Sequence, residues 1–309
     1  MLKTLIRPGF ILLAFGAGYA FDNAHVFNWL IRWLLIAMLY LACLQLKPSQ
    51  LAIHSSHWKI LAANVLIALI PWALILGLGG RRDLALLAFF TGITPTATAA
   101  PVIIAFLNGR VGYVVTAFVI TNIGIALMLL GLLPLVTGNL SWLFMGKVGL
   151  NLLLVIGLPL IAGTLTRIVH PAASQWPSRC RNFSFGLWIV TMFLIAASGA
   201  DFLKHTPGLP SDVIWLALGG SFALCALNFT VGRWLGGRRL GRETSQALGQ
   251  KNTSFTIFLA LTFANPLVAM GPTFYVLWHN LWNCMQMWLY DRRQFRRRRD
   301  TADGSMTPR

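Results

Sequence analysis

Apolar runs of about 20 residues, the length that crosses a bilayer as a helix, recur along the whole chain between short polar or basic stretches. About ten are predicted, at 5–19, 27–46, 60–78, 84–107, 112–136, 148–168, 183–202, 213–235, 247–264 and 268–290. The first is short, with Pro8 near its start. A longer connection through Gly138-Asn139-Leu140-Ser141 parts the fifth from the sixth. It divides the chain into 1–137 and 138–290, five predicted spans each, followed by a basic tail at 291–309. The pattern predicts an all-α polytopic membrane protein.

Two spans are interrupted. In the fourth, Gly92-Ile93-Thr94-Pro95-Thr96-Ala97-Thr98-Ala99-Ala100-Pro101 places two prolines and three threonines inside a segment of membrane length. Each proline removes a backbone donor and clashes with the preceding turn. One proline kinks a helix; two, flanking small hydroxylated residues, predict an unwound stretch. In the ninth, Gly249-Gln250-Lys251-Asn252-Thr253-Ser254 sets a glycine, two amides, two hydroxyls and a lysine ahead of the apolar run 255–261. Irregular backbone at that depth survives only where protein or a watery cavity satisfies it. Each interrupted span is the fourth of its five, the pattern of an inverted-repeat transporter whose site lies between the breaks. Thr94, Pro95, Thr96, Thr98 and Pro101 would then line a substrate site with Gln250, Asn252, Thr253 and Ser254. The competing reading is two ordinary kinked helices packed through small residues.

Lys251 is open to two interpretations. An ionisable residue at mid-membrane is expensive to bury and marks function by default. Arg242 and Glu243, however, lie only about two to three turns upstream, so Lys251 could instead sit at the end of the span and snorkel to the headgroups.

Composition adds little to the class but fixes an expected orientation. The 309 residues are 57% hydrophobic and 11% charged, with mean hydropathy +0.69. A net charge of +17 would suit nucleic acid, but the basic residues fall between the apolar runs and in the tail. With the N-terminus inside, inner segments hold Lys3, Arg7, Lys47, Lys59, Arg110, Arg167, Arg179, Arg181, Arg233, Arg238, Arg239, Arg242 and the tail arginines. Outer segments hold Arg81, Arg82, Lys147 and Lys204. This positive-inside bias predicts both termini in the cytoplasm of a bacterial inner (plasma) membrane. The run Arg296-Arg297-Arg298-Arg299 is expected to dock on anionic lipid, with no nucleic acid as partner. No cleavable leader is evident at 5–19.

Asn122, after Thr121 on the fifth span, either faces the first break or bonds between helices. Arg32 could hold an anionic substrate or reach the outer headgroups. His279 and Asn280 suit packing and interhelical bonds, or a proton relay. Trp29, Trp33, Trp58, Trp142, Trp215 and Trp234 fit an aromatic belt. Asp201 and Asp212 border the loop after the seventh span. No nucleophile–base set, metal-ligand spacing or phosphate-cradling loop stands out, so no enzyme is expected and no metal. No cysteine pattern points to a disulfide framework.

Four stretches, in order and spacing, resemble the bile acid/sodium symporter family and its wider superfamily, as a divergent bacterial-type member. They are Ala37-Met38-Leu39-Tyr40-Leu41-Ala42-Cys43-Leu44-Gln45-Leu46, the first break through Phe106-Leu107-Asn108-Gly109-Arg110, Gly249-Gln250-Lys251-Asn252, and Val276-Leu277-Trp278-His279-Asn280. The resemblance implies ten helices as two inverted five-helix repeats, a panel and a core domain, and alternating-access symport of organic anions. It also implies sodium sites, and there the chain departs. Aligned on Asn252, the family's sodium-binding glutamine falls on Lys251 and its shared glutamate on Ala247. The family's Ser-Asn pair falls on Ala100 and Pro101, and its hydroxyl ligands on the fifth span fall near Val114 and Phe118. Apolar residues cannot replace a sodium hydration shell. An ammonium could supply the missing positive charge itself, and because burial disfavours the charged form, Lys251 could carry a proton. A gap in the alignment would restore Glu243 as the family acid.

The expected function is secondary transport of a small organic anion, with sodium or a proton as the coupling ion and no other cofactor. A second expectation, from a different class, is a membrane sensor or regulatory subunit that binds without transporting. A channel and an intramembrane enzyme fit the residues less well.

Overall fold

The computed structural model describes residues 10, 13–44, 51–205 and 211–302. Lys3, Arg7, Pro8, Gln45, Leu46 and Lys47 lie outside the described residues, as does the tail beyond Ala302.

Every regular element among the described residues is helical, apart from one isolated bridge considered below. A helix over 13–20 and a 3-10 turn, Asp22–Phe27, lead into α1 (Trp29–Leu44). Next come α2 (Ser55–Gly77), α3 (Arg82–Gly92), α4 (Ala100–Phe106) and α5 (Val111–Thr137). After them lie α6 (Trp142–Val169), α7 (Arg181–His205), α8 (Ser211–Gly249), α9 (Thr253–Phe263) and α10 (Pro266–Ala302). Five of these helical stretches are long and apolar enough to cross a membrane: Ser55–Gly77, Val111–Thr137, Trp142–Val169, Phe183–His205 and Asp212–Gly249. The chain is thus all-α and membrane-type.

Local chemistry sets the boundaries. α5 stops at Gly138, whose left-handed φ of 67° ends the helix. α6 starts where Ser141 Oγ accepts from Phe144 N at 3.2 Å, an N-cap. That start, at Trp142, lies six residues ahead of the predicted one at Val148. Inside α6, Pro159 lacks an N–H, and the turn before it widens to a π-helix at Leu153–Gly157.

The largest departure from the predicted spans is at α8. Gly237, with φ 56° and ψ −148°, turns the helix back on itself. Ser245 Oγ then donates to Phe229 O at 2.8 Å across the hairpin. The limbs touch at Gly232, where an added Cβ would meet Thr244 O at 2.6 Å and Ser245 Cα at 2.8 Å. The second limb, 238–249, is therefore the first half of the interrupted segment, and Arg238, Arg239, Arg242 and Glu243 lie on it rather than in a loop. The tail also differs, because α10 continues through the predicted boundary at Tyr290 to Ala302.

Cross-links gather the helix ends at two poles. At one, Asn265 Nδ2 donates to Asp83 Oδ1 at 3.0 Å, Lys204 Nζ pairs with Asp22 Oδ2 at 3.0 Å, and Arg82 Nη2 donates to Thr137 O. At the other, Arg242 Nη1 donates to Leu107 O at 2.8 Å and Tyr40 Oη to Thr166 Oγ1 at 3.0 Å. The first is the mixed-charge end and the second the arginine-rich end. The six tryptophans assigned to a belt are all exposed, from Trp33 at 56% to Trp142 at 87%.

Candidate functional site

The breaks between α3 and α4 and between α8 and α9 cross in contact. Thr96 and Lys251 form an antiparallel bridge. Ala97 N donates to Gln250 O and Asn252 N to Pro95 O, both at 2.8 Å. Each unwound stretch thus satisfies the other's backbone, as buried polar groups away from water require. Pro95 and Pro101 keep the first stretch from closing into helix.

Side chains from neighbouring helices complete the crossing. Thr96 Oγ1 donates to Ala247 O at 2.5 Å and accepts from Thr121 Oγ1 at 2.9 Å, while Thr96 N donates to Thr121 Oγ1 at 3.2 Å. Asn122 Nδ2 donates to Thr96 O at 2.9 Å, and its Oδ1 has no protein partner. The Thr94 and Thr256 hydroxyls lie 2.8 Å apart, and each also reaches a carbonyl of its own helix turn, Phe90 O at 2.8 Å and Thr253 O at 3.2 Å. Tyr275 Oη donates to Gly249 O at 2.9 Å. Asn283 Nδ2 donates to Gln250 Oε1 at 2.6 Å, and Gln246 Nε2 bonds both Asn283 Oδ1 and Gln286 Oε1.

Lys251 lies within this packing, 1% exposed. Its Nζ donates to Asn64 Oδ1 on α2 and to Gly92 O at 3.1 Å. Gly92 is the last residue of α3, and Gly249 ends the limb that precedes Lys251. The free carbonyls at helix C-termini carry partial negative charge, so two half-helices end around the lysine. No carboxylate lies within 4 Å of Nζ among the described residues; neutral oxygens and helix ends hold it.

The residues expected at the site divide accordingly. Thr94, Pro95, Thr96, Asn122, Gln250 and Lys251 come together at the crossing, and the Asn252 backbone joins them. Thr253 and Ser254 are buried at the start of α9. Thr98 is exposed and Pro101 half-buried in the first turn of α4, both at the edge of the crossing. Glu243 stands eight residues before Lys251, about 12 Å of helix rise away. It is 4% exposed, and Oε1 accepts from Arg110 N at 3.0 Å. There it caps the start of α5 rather than facing the crossing. Snorkelling of Lys251 to the headgroups does not occur, because the second limb of α8 sets the lysine inside the body.

Asn64, Thr121, Thr256, Tyr275 and Asn283 escaped the reading of the breaks. Each is a polar side chain on a largely apolar helix, a signal visible in sequence but shared with ordinary interhelical bonding. No group of three His, Cys, Asp or Glu side chains among the described residues could hold a metal ion.

A cavity of about 390 Å³ opens at the mixed-charge end between α1 and α9, walled by Asn28, Trp29, Ile31, Arg32, Trp33, Phe258, Leu261, Thr262 and Pro266. A much smaller cleft of about 20 Å³ lies on the arginine-rich side of the crossing, where Asn122 faces Leu39, Cys43 and Ile156. No family model and no curated protein matches the chain.

Proposed function

We propose that the chain is a secondary transporter of a small organic anion, in which Lys251 is a built-in cation at the crossing of two broken helices. The observation that carries this reading is the direct pairing of the two breaks around a buried, carboxylate-free lysine. Broken helices whose half-helix ends face one site are the device by which inverted-repeat transporters bind charge at mid-membrane. Burying an unpaired ammonium is costly, which argues that the lysine is kept for its charge.

On this reading the two halves, 1–137 and 138–290, are inverted repeats, and the chain is a divergent relative of the bile acid/sodium symporters. The arginine-rich end lies in the cytoplasm. Lys251 takes the place of a sodium ion, and coupling is to protons or absent.

The test is uptake of organic anions into proteoliposomes under imposed proton or sodium gradients, for wild type and Lys251→Ala. Proton-driven accumulation lost in the variant is the expected result. Sodium-driven accumulation that tolerates the substitution overturns the role of Lys251. Saturable binding without accumulation in the wild type would instead identify a sensor.

A further inference from the structure

We propose that the 390 Å³ cavity between α1 and α9 is a binding site for a small organic anion, with the Arg32 guanidinium as its anchor. The proposal deepens the transporter reading by naming where substrate first docks, and it relies on that reading only for what happens after docking.

The guanidinium is held ready without being neutralised. Arg32 Nη2 donates to Asn151 Oδ1 at 2.9 Å, and Asn151 Nδ2 donates in turn to Lys147 O at 2.8 Å, which fixes the amide as an acceptor. Arg32 Cζ lies over the Phe258 ring, 5.5 Å from its centroid, within the range of a cation–π contact. Among the described residues no carboxylate lies within 4 Å of it. Three aspartates of this end have other partners: Asp22 pairs with Lys204 at 3.0 Å, Asp83 with Asn265 at 3.0 Å, and Asp201 with His205 at 3.0 Å. Of the five N–H donors an arginine carries, one is used on Asn151.

Of the remaining polar side chains in the lining, Asn28 favours an anion. Asn28 Oδ1 is taken by Ser198 Oγ at 2.5 Å, so its NH₂ is the group it can offer. Thr262 spends its proton on Phe258 O at 2.7 Å, so its hydroxyl offers only an acceptor and adds nothing to an anion site. The site presents donors and a fixed positive charge on an apolar, aromatic wall, which suits a carboxylate or sulfonate on a compact apolar body. At about 30 Å³ per water-sized group, the cavity takes on the order of a dozen non-hydrogen atoms. The cleft beside Asn122 holds room for about one water, too little for such a ligand.

The same anionic oxygens could come from a lipid phosphate, and the experiment separates the two sources. Radiolabelled benzoate and benzenesulfonate are titrated against the full chain in nanodiscs of phosphatidylcholine alone and with phosphatidylglycerol, with benzamide as the uncharged competitor. We expect saturable anion binding that benzamide does not displace and that Arg32→Gln weakens at least tenfold. Arg32→Lys should recover only part of it, because the two-pronged geometry is lost. Thr262→Trp, which fills the cavity and leaves Arg32 in place, should also abolish binding in a protein that remains monodisperse. Equal affinity in wild type and Arg32→Gln overturns the proposal, as does absence of binding by either anion. Phosphatidylglycerol that blocks benzoate and co-purifies with wild type but not with Arg32→Gln assigns the cavity to a lipid headgroup and overturns the soluble ligand. No gradient or uptake enters these measurements, so their failure is distinct from a failure of transport.

Discussion

On the proposed reading Lys251 and Arg32 are both cations within the helical body, and the regions that hold them work in opposite ways. At the crossing, a 1% exposed ammonium is enclosed by neutral oxygens and the ends of two half-helices, and backbone and hydroxyls are bonded to one another. At the α1–α9 cavity, a guanidinium faces open volume, with one amide and one ring in contact. A charge already surrounded by protein oxygens has little capacity for a ligand, whereas one beside open volume retains it. On the proposed reading the crossing is therefore the fixed part and the cavity the receptive part. Substitutions at the crossing should register first in stability, and those at the cavity in binding.

The sharpest break of that comparison is a double-mutant cycle at Asn64 and Lys251. Asn64→Leu leaves the ammonium one acceptor, Gly92 O, and should cost about 3–5 kcal/mol, the usual consequence of stripping a partner from a buried charge. Lys251→Met removes the charge itself and should leave thermal stability in detergent unchanged or raised, while uptake is lost. With the lysine absent, Asn64→Leu should become much milder. Additive losses across the cycle would mean that Asn64 does not hold the charge. Thr96→Val should have the next largest effect. It leaves Ala247 O without its donor and Thr121 without its acceptor, at about 1–3 kcal/mol per orphaned buried group, read as a lower Tm. A Tm within error of wild type would show that the crossing is looser than its hydrogen bonds indicate.

Much of the crossing was legible in sequence, because unwinding a lipid-length helix takes unusual residues. Pro95, Pro101 and the run Gly249–Ser254 stand out against apolar flanks for that reason alone. What could not be read was where the second half-helix begins. The stretch Gly236-Gly237-Arg238-Arg239 has the composition of a basic loop, and only the left-handed φ of Gly237 and the contact at Gly232 turn it into a tight hairpin. Glu243 was drawn towards the site by a possible gap in the family alignment, when its carboxylate instead caps α5 through Arg110 N. Asn64 was missed because a single asparagine in an apolar helix has no local pattern to mark it; its role exists only through Lys251, 187 residues away. Likewise the polar pair that α5 brings to the crossing, Thr121 and Asn122, lies about one turn past Phe118, where an ungapped family alignment placed a ligand. Arg32 was visible, but its surroundings were not. Whether a guanidinium is neutralised depends on carboxylates from other helices, and Asp83 and Asp201 turn out to be engaged elsewhere.

The smallest expected effect belongs to a third cation, which tests whether carboxylate pairing alone distinguishes these regions. Lys204 Nζ meets Asp22 Oδ2 at 3.0 Å and also donates to Tyr19 O at 2.9 Å, tying the 3-10 turn to the end of α7. The hydrogen bond from Lys204 holds the Asp22 carboxyl below the ordinary aspartate value of 3.8. A depressed native value means that the unfolded chain takes up its proton first as the pH falls. The contribution of the pair is therefore full above the ordinary value and disappears as pH drops through the lowered one. Asp22→Asn should lower Tm slightly at pH 7 and progressively less as the pH falls below the ordinary aspartate value, with the difference shrinking in high salt as exposed charges are screened. Anion binding at Arg32 should be unaffected. If Asp22→Asn instead altered benzoate affinity severalfold at neutral pH, the aspartates of this end would be acting on the cavity. The contrast between a paired surface lysine and an un-neutralised arginine would then have to be redrawn.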